Sequence, residues 1–332
     1  MEKRPANLMP HDVSVIICTY AEDRWTATCA AVESVRSQTV PPREIIVVVD
    51  HNAALLKRAR EQWPDLSVIE NHEPRGLSGS RNTGVAIAQS TWVAFLDDDA
   101  VAETSWLEEM MVHGDDPQIL GVGAQVKPAW ETTRPAWFPE EFLWVVGCSY
   151  RGLPEARQPV RNLFGGSMCL KREIFAEVGG FRHGVGRIAT RPMGCEETEL
   201  CIRARQRWPQ KIFLYEPQAS IQHTVPGSRA NWNYFRARCF AEGQSKALVS
   251  RSVGARDGLA SEWAYTLRVL PQGVLRGLAD AFFKHSRMGL ARAGAIIAGL
   301  MITTAGYILQ GMSQRVKTEP LGQTDLKTAA RP

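Results

Sequence analysis

Two short runs near the N-terminus, Val13 to Cys18 and Glu44 to Val49, are rich in β-branched residues and contain almost no polar positions. Strands that are buried on both faces have this pattern, which is typical of parallel sheets covered by helices. Between the runs, Trp25 to Ser37 places small and apolar residues at helical spacing, and Pro41 and Pro42 follow. The order strand, helix, strand predicts a βαβ crossover in an α/β fold.

The same alternation continues to about residue 100. We predict helices over Asn52 to Gln62 and Ser78 to Gln89, and strands over Leu66 to Glu70 and Trp92 to Leu96. The last of these strands stops at three consecutive aspartates, Asp97 to Asp99. Because ligands of open α/β sheets bind at the carboxyl ends of the strands, we expect a site at this edge.

The middle of the chain, Lys127 to Arg161, mixes tryptophan, proline and charge, and this composition predicts an irregular loop region over the site. Its tryptophans either cap the core or stack on a sugar ring; they are Trp130, Trp137 and Trp144. Regular structure is expected again over Asn162 to Phe181, and a helix over Cys195 to Trp208.

The C-terminal region has a different character. Ala293 to Met312 is an uncharged stretch of twenty residues, which matches the roughly 30 Å hydrocarbon core of a membrane at about 1.5 Å per residue. It is flanked by arginines and by Lys317, and upstream Trp263 to Lys284 is amphipathic. We therefore expect a main domain over 1–250 and a helical, membrane-associating region over 251–332. The alternative is an apolar helix packed on the main domain.

Charge supports this division. The chain has a formal net charge of +4, but residues 251–332 hold 11 Lys and Arg against 5 Asp and Glu, whereas the remainder holds 28 against 30. A basic tail on a near-neutral body suits a membrane surface better than a nucleic acid. A solvated basic terminus is the alternative.

The seven cysteines include no Cys-Xaa-Xaa-Cys pair, so we expect buried free thiols and a reducing compartment rather than disulfides or a zinc site. Met1 to Asp12 is polar and has no apolar run, which argues against a secretory signal.

Three adjacent carboxylates after an apolar strand repel one another unless a cation binds there. Oxygen ligands suit Mg²⁺ or Mn²⁺, which proteins commonly share with phosphates. A helix cap before Thr104 to Met111 is the other interpretation of the triplet. The glycines of a nicotinamide-binding motif are incomplete at Gly121 and Gly123, and a P-loop is missing, so neither of those nucleotide sites is supported.

Several segments together resemble the inverting glycosyltransferases of family 2, which have the GT-A fold, and in particular their membrane-associated single-domain bacterial members. The resemblance covers residues 12 to 225. The matching segments are VSVIICTYAEDR (13–24), IIVVVD (45–50), NHEPRGLSGSRNTG (71–84), FLDDDA (95–100), GGSMCLKREIFAEVGGF (165–181) and EETELCIR (196–203).

The resemblance implies a nucleotide-sugar donor and assigns residues to it. Thr19, Tyr20 and Asp50 match positions that bind the nucleotide base, and Arg81 matches a basic residue near the diphosphate. Asp97 or Asp98 would contact the ribose. The backbone of Gly165, Gly166 and Ser167 would approach the donor sugar closely, because glycine has no Cβ.

The resemblance also implies a metal site and a general base. Asp99 would hold a divalent cation, Mn²⁺ or Mg²⁺, and His223 matches a histidine that approaches the metal or the diphosphate in some relatives. Glu196 and Glu197 match the acidic pair of which the second member, usually Asp, removes the acceptor proton; Glu197 is one methylene longer, so either glutamate is a candidate.

The expected function is transfer of a hexose, from a UDP-sugar in the first instance, to a hydroxyl of an acceptor in cell-envelope glycan or glycolipid synthesis, on the cytoplasmic face of a membrane. The acceptor is lipid-linked, a glycan or a soluble small molecule. A non-catalytic protein that binds sugar nucleotides is the alternative from another class.

Overall fold

The computed structural model describes residues 12–184, 186 and 193–316. The polar segment before Asp12 and the basic end of the chain from Lys317 onward lie outside the described residues. The expectations about a signal and about the flanking charge at Lys317 therefore stay predictions.

Strands of the described residues form one mixed sheet in the order β3-β2-β1-β4-β8-β6-β9-β5, with β7 alongside β9. Their bounds are β1 Val13–Thr19, β2 Glu44–Val49, β3 Ser67–Glu70, β4 Trp92–Asp97, β5 Ala100–Ala102, β6 Ile119–Trp130, β7 Gln158–Val160, β8 Ser167–Lys171 and β9 Ile212–Val225.

Helices cover both faces of the sheet and form the C-terminal region. They are α1 Trp25–Arg36, α2 Ala53–Gln62, α3 Leu77–Ile87, α4 Trp106–Met111, α5 Glu173–Val178, α6 Glu196–Arg207, α7 Trp232–Val253, α8 Ala255–Gly258, α9 Ala260–Ala264, α10 Leu270–Phe283 and α11 Arg287–Val316. Two large apolar clusters lie on opposite faces of the sheet, as expected for strands that are apolar throughout.

The first four strands run parallel, as the βαβ pattern predicts. Their register aligns the strand ends: Thr19 lies opposite Val49, and Cys18 lies opposite Asp97. Asp50 and the aspartate triplet therefore reach the same edge of the sheet, although 47 positions of sequence separate Asp50 from Asp97. The predicted convergence of these strand ends is confirmed. That a ligand binds at this edge stays a prediction.

Two antiparallel pairings bring distant residues to that edge. In β8, Ser167 lies opposite Leu96, which places Gly165 and Gly166 beside the end of β4. In β9, His223 lies opposite Ala100, the residue after Asp99. These contacts depend on the register of strands that are far apart in the sequence.

The prediction of an irregular region over Lys127 to Arg161 is correct only in part: 131–139 and 147–157 lie outside the helices and strands, but the rest is regular. β6 continues to Trp130 because β9 pairs with it from Ile119 onward, a 3₁₀ segment covers Glu140–Val146, and β7 follows at Gln158–Val160. The partner strand lies about ninety residues later in the chain, so local composition could not indicate it.

Of the two interpretations of the tryptophans, core packing holds for Trp130 and Trp137. Their rings lie 5.6 and 5.4 Å from that of Phe138, and Trp137 also contacts Phe235. Trp144 contacts Phe142 and in addition lines the large cavity described below.

The C-terminal helices pack on the main domain. α11 lies along α7, where Gly243 and Gly306 allow the two backbones to touch, and its Gly299 contacts Phe142. The opposite face of α11 exposes apolar side chains, including Ile297, Met301 and Leu309. Within the described chain, one helix, Arg287–Ser313, is long and apolar enough to cross a membrane.

Candidate active site

A cavity of about 1090 Å³ opens at the carboxyl edge of the parallel strands. One end is formed by the residues that follow β1, β2 and β4, and the other by α7 and the helical segments from Leu259 onward. Apart from Ser167, every residue that the sequence assigned to the site lines this cavity.

Tyr20, Thr19 and Asp50 form the outer end of the cavity. Tyr20 leaves 45% of its surface exposed, whereas Thr19 is buried and its hydroxyl lies 3.2 Å from that of Thr28. The Asp50 carboxylate accepts hydrogen bonds from Asn71 Nδ2 at 2.7 Å and from the backbone N–H of Gly76 at 3.0 Å. These two donors fix the Asp50 side chain while one edge of it faces the cavity.

The aspartate triplet and His223 could hold a metal ion. One ligand atom from each of Asp97, Asp99 and His223 lies within 4.8 Å of the others, and His223 Nε2 is 3.3 Å from Asp99 Oδ1. Asp98 Oδ2 is buried without a hydrogen-bond partner among the described residues. This donor set of oxygens and one imidazole fits Mn²⁺ or Mg²⁺. Asp97, assigned from sequence to the ribose, is thus grouped with the metal ligands.

The pKa values in this cluster diverge. Burial raises the pKa of Asp98 to about 7, despite the opposing attraction of Arg24. For Asp99, burial is outweighed by attraction to His223 and Arg24, which holds its pKa well below the usual range. Burial opposes a charge on His223 too, but the contact with Asp99 raises its pKa to about 10. At neutral pH Asp99 and His223 are therefore both charged, whereas Asp98 is partly protonated.

Arg24 is a site residue that sequence reasoning did not single out. Its guanidinium pairs with Asp98 and, through Nη2 at 2.6 Å, with Asp99 Oδ2, and it lies over the Tyr20 ring at 5.3 Å from the centroid. Arg24 and His223 thus contact opposite oxygens of Asp99. The sequence did contain an indication that Arg24 belongs to the site, because Arg24 ends the first segment of the resemblance and directly precedes α1.

Arg81 is buried and is hydrogen-bonded to several groups of the site. It donates to Glu196 Oε1 at 2.9 Å, to Asp97 Oδ1 at 3.3 Å and to the Gly165 carbonyl at 2.6 Å. Phe95 and Phe181 flank the guanidinium. It neutralises carboxylates of the site and fixes their positions, and it still borders the cavity.

The two glutamates at the start of α6 differ in their surroundings. Glu196 is buried and paired with Arg81, whereas the Glu197 carboxylate reaches the cavity and hydrogen-bonds to the Thr198 hydroxyl at 3.0 Å. Burial and the neighbouring charge of Glu196 raise the pKa of Glu197 to about 8. Cys195, just before the pair, has φ of 74°, a strained conformation for a residue other than glycine. Such strain often marks functional sites.

The Gly165–Gly166 turn lies between the carboxylates. A Cβ on Gly165 would lie 3.3 Å from Glu197 Oε2, and one on Gly166 would lie 2.9 Å from Asp97 Oδ2. The side chain of Ser167 is fully buried and accepts a hydrogen bond from Trp106 Nε1 at 2.8 Å, so a role of Ser167 toward the donor sugar stays a prediction that concerns its backbone. The side chain lies outside the cavity because side chains alternate between the faces of strand β8.

All seven cysteines are free, as expected, and burial raises the pKa of several of their thiols. Two of them contact polar residues of the cavity: Cys195 Sγ lies 3.3 Å from Glu242, and Cys148 Sγ lies 3.8 Å from His223 Nδ1.

Comparison with known proteins agrees with this geometry. The model of the family described as "Glycosyl transferase family 2" matches residues 14–179. The chain is 35% identical over 241 residues to a glucosyl-dolichyl phosphate glucuronosyltransferase of Haloferax volcanii, covering 71% of this chain and 77% of that protein. It is 25% identical over 188 residues to a pre-mycofactocin glycosyltransferase of Mycobacterium tuberculosis, which is 56% of this chain and 38% of that relative.

Among solved structures, a mannosyltransferase of Pyrobaculum calidifontis, determined with GDP-mannose and Mn²⁺, superposes with a TM-score of 0.55 at 18% identity, covering 91% of this chain and 90% of that one. This similarity concerns the fold. The sheet, the acidic cluster at its edge and the family match together show that the chain is a member of glycosyltransferase family 2 with the GT-A fold.

Proposed function

We propose that this glycosyltransferase transfers a hexose from a UDP-sugar to a hydroxyl of a lipid-linked acceptor, with inversion and with the help of a divalent cation. The observation that carries the proposal is the Glu197 carboxylate, which lies in the same cavity as the Asp97, Asp99 and His223 cluster and is not paired with Arg81. A proton acceptor and a place for a diphosphate thus border one space.

The donor fits the outer and central parts of the cavity. The exposed ring of Tyr20 offers a surface for the base, and Asp50, whose orientation is fixed by Asn71 and Gly76, accepts a hydrogen bond from a base N–H. The sugar lies against Gly165 and Gly166, where the absence of a Cβ leaves room beside Asp97 and Glu197.

Asp97, Asp99 and His223 would hold the cation. When bound there it would stabilise the negative charge that develops on the leaving diphosphate. Arg24 and Arg229 also face this place, since they lie 2.6 and 3.7 Å from Asp99 Oδ2, and they add positive charge near the phosphates.

Glu197 accepts the proton of the acceptor hydroxyl while that oxygen bonds to the anomeric carbon. The bond between the anomeric carbon and the diphosphate oxygen breaks, and the nucleoside diphosphate leaves with the electron pair. A single displacement from the opposite side inverts the anomeric centre. The pKa of Glu197, about 8, suits a base at neutral to mildly alkaline pH.

A lipid-linked acceptor is supported by exposed apolar side chains of the helical region, which also forms one end of the cavity. Trp263, Leu267, Phe282 and Phe283 are each at least 64% exposed. A relative with 35% identity is named for a dolichyl phosphate-linked substrate. The enzyme would thus act at the cytoplasmic face of a membrane in cell-envelope glycan or glycolipid synthesis, where the helical region contacts the lipid.

The base-binding role of Asp50 predicts an effect that is independent of the sugar. Asp50→Asn should weaken UMP and the UDP-sugar by the same factor, about tenfold or more, because a hydrogen bond to a charged group contributes roughly 1.5–3 kcal/mol. Calorimetry measures both affinities, with Asp65→Asn, an exposed aspartate outside the cavity, as the control. Loss of affinity for the sugar nucleotide alone would contradict the assignment.

The membrane contact predicts how the full-length chain leaves isolated membranes. High salt should release little protein, because burial of the apolar face does not depend on ionic strength, whereas detergent should release nearly all of it. Immunoblots of the washed fractions give the result. Recovery of a monodisperse protein from the cytosol without detergent would contradict the membrane assignment.

The experiment that tests the function itself is a screen of nucleotide sugars by thermal shift in Mn²⁺, followed by transfer assays with the stabilising donor. We expect a UDP-sugar to stabilise the protein and to be consumed when a lipid-linked glycoside is present. Stabilisation without any turnover would identify a non-catalytic binding protein instead.

A further inference from the structure

The two ends of the cavity carry opposite formal charge. Around the donor end, six carboxylates face four arginines and His223; they are Asp50, Asp97, Asp98, Asp99, Glu196 and Glu197, with Arg24, Arg75, Arg81 and Arg229. At the helical end the excess is reversed, since four cations face two carboxylates; they are Arg161, Arg238, Lys246 and Arg268, with Glu242 and Glu262. The excess of carboxylates at the donor end favours a bound cation. The excess of cations at the helical end favours a bound anion.

Most of the helical-end cluster is half-buried, and its members are connected by ion pairs. Glu262 accepts from Lys246 at 2.6 Å and from Arg161 at 2.7 Å, and Glu242 pairs with Arg238 at 2.9 Å and Lys246 at 3.3 Å. The pKa of Glu262 is lowered to about 2, because Lys246 and Arg161 outweigh the effect of burial, and the pKa of Glu242 is lowered by Lys246 and Arg238 in the same way. Both carboxylates are therefore ionised at neutral pH.

This cluster retains hydrogen-bond capacity. Arg238 is paired with Glu242, since its Nη1 nitrogen lies 2.9 Å from Glu242 Oε2. Guanidinium and ammonium groups carry several N–H donors each, so Arg161, Arg238 and Lys246 can donate more hydrogen bonds than Glu242 and Glu262 can accept. An anionic group bound in this end of the cavity could accept from the remaining donors.

Arg268 completes the cationic end at its mouth. It is exposed, borders the cavity and makes no ion pair or hydrogen bond with the described part of the chain. It belongs to one turn of π-helix, Tyr265–Val269, of which four residues line the cavity; such turns are frequent at functional sites. Leu267, beside it, is 64% exposed, so charge and apolar surface meet here.

The cationic end also adjoins the reacting groups. Arg161 is four residues before Gly165, and Cys195, which contacts Glu242 at 3.3 Å, directly precedes Glu196 and Glu197. A molecule that presents a hydroxyl to Glu197 would therefore extend toward Arg161, Lys246 and Arg268. Beyond them it would reach exposed apolar side chains such as Leu267.

We propose that the cationic end binds a phosphate group of the acceptor, which links the acceptor sugar to an apolar chain. The sugar hydroxyl faces Glu197, the phosphate lies among Arg161, Arg238, Lys246 and Arg268, and the chain leaves across the exposed apolar side chains of the helical region. This inference rests on the proposed function, because it concerns the acceptor of the same reaction.

The test compares two synthetic acceptors that share glucose and an octyl chain, octyl glucoside and the glucose 1-octyl phosphodiester. Binding to the full-length enzyme is measured by calorimetry with Mn²⁺ and UDP present, so that it does not depend on turnover. We expect the phosphodiester to bind at least about tenfold more tightly, and its affinity to fall with ionic strength while that of octyl glucoside does not.

Arg268→Gln should remove about tenfold of the phosphodiester affinity and leave octyl glucoside and UDP unaffected. Arg256→Gln, an exposed arginine outside the cavity, is the matched control and should change nothing. Because Arg268 is exposed and makes no ion pair with the described residues, its loss is not expected to unfold the protein.

Equal affinity for the two acceptors, or an Arg268→Gln effect on both alike, would overturn the proposal. Displacement of the phosphodiester by short-chain phosphatidylglycerol at equal concentration would assign the cationic end to membrane headgroups instead. Failure of the glycosyltransferase proposal would appear separately, as absent UDP binding or absent sugar transfer with a phosphodiester that still binds.

Discussion

Glu197→Gln is expected to lower kcat by at least about a hundredfold while the affinity for the donor stays unchanged. The substitution keeps the shape and the Thr198 contact of the side chain but removes the proton acceptor, and general bases typically contribute 10²–10⁴-fold. Transfer kinetics and calorimetry of UDP binding give the two quantities.

Glu196→Gln separates the two glutamates. Because Glu196 Oε1 pairs with the buried Arg81 guanidinium at 2.9 Å, this variant should mainly lower the melting temperature and affect turnover less than Glu197→Gln. The reverse order of the kinetic effects would move the general base to Glu196.

The same assignment gives a pH dependence. A base works when deprotonated, and the pKa of Glu197 is raised to about 8, so kcat/KM should rise with pH and level off above about 8. A glutamate with an ordinary pKa would give a plateau from about pH 5. A profile flat from pH 6 to 9 would exclude Glu197, with its raised pKa, as the group that limits the rate.

Asp99→Asn is expected to abolish the cation dependence of UDP binding. Loss of an outer-shell partner of a metal ligand alone costs about 10–100-fold in affinity, so loss of a proposed ligand should cost at least about a hundredfold. Calorimetry with and without Mn²⁺ measures the effect, and Asp115→Asn, an exposed aspartate near α4, serves as the control.

Asn retains the shape of Asp99, and its oxygen can still accept from Arg24, so the fold should persist. Its amide lacks the charge that pairs with His223 and attracts a divalent cation. Metal-sensitive UDP binding of unchanged strength in Asp99→Asn would contradict the metal site.

Sequence patterns predicted the parallel half of the fold well. The apolar runs at Val13–Thr19 and Glu44–Val49 and the intervening helix depend on local periodicity, which remains visible in a single sequence. Helix α2 begins where its Asn52 cap indicates, since Asn52 Oδ1 accepts from the Leu55 N–H at 3.1 Å. Such local signals do not need knowledge of the rest of the fold.

The other half of the sheet, which joins strands that are far apart in the sequence, could not be predicted in this way. β6 and β9 stabilise each other across about ninety residues, and the register of β9 with β5, not a local motif, brings His223 to Asp99. The role of Arg24 was hidden for the same reason, because its partners Asp98 and Asp99 lie 74 and 75 positions away. The burial of Ser167 depended on the pleat of β8 and could not be seen in the Gly165–Gly166–Ser167 motif.

For the tail, the sequence left two alternatives, a membrane-associated helix or a helix packed on the main domain. α11 packs on α7 through Gly243 and Gly306 and also leaves Met301 and Leu309 exposed on its other face. The amino-acid composition of a helix shows that the helix is apolar, but it does not show which face another helix covers. The contact between α11 and α7 shows which face of α11 is covered. The same packing places the helical region along one side of the cavity.

The central claim is that one cavity carries out metal-dependent, inverting sugar transfer. The most direct measurement is nuclear magnetic resonance of the product formed from an α-linked UDP-sugar and a lipid-linked glycoside, with Mn²⁺ and with chelator. We predict a β-linked product that forms only when the cation is present and is lost in Glu197→Gln. An α-linked product, or transfer that continues unchanged in chelator, would contradict the account.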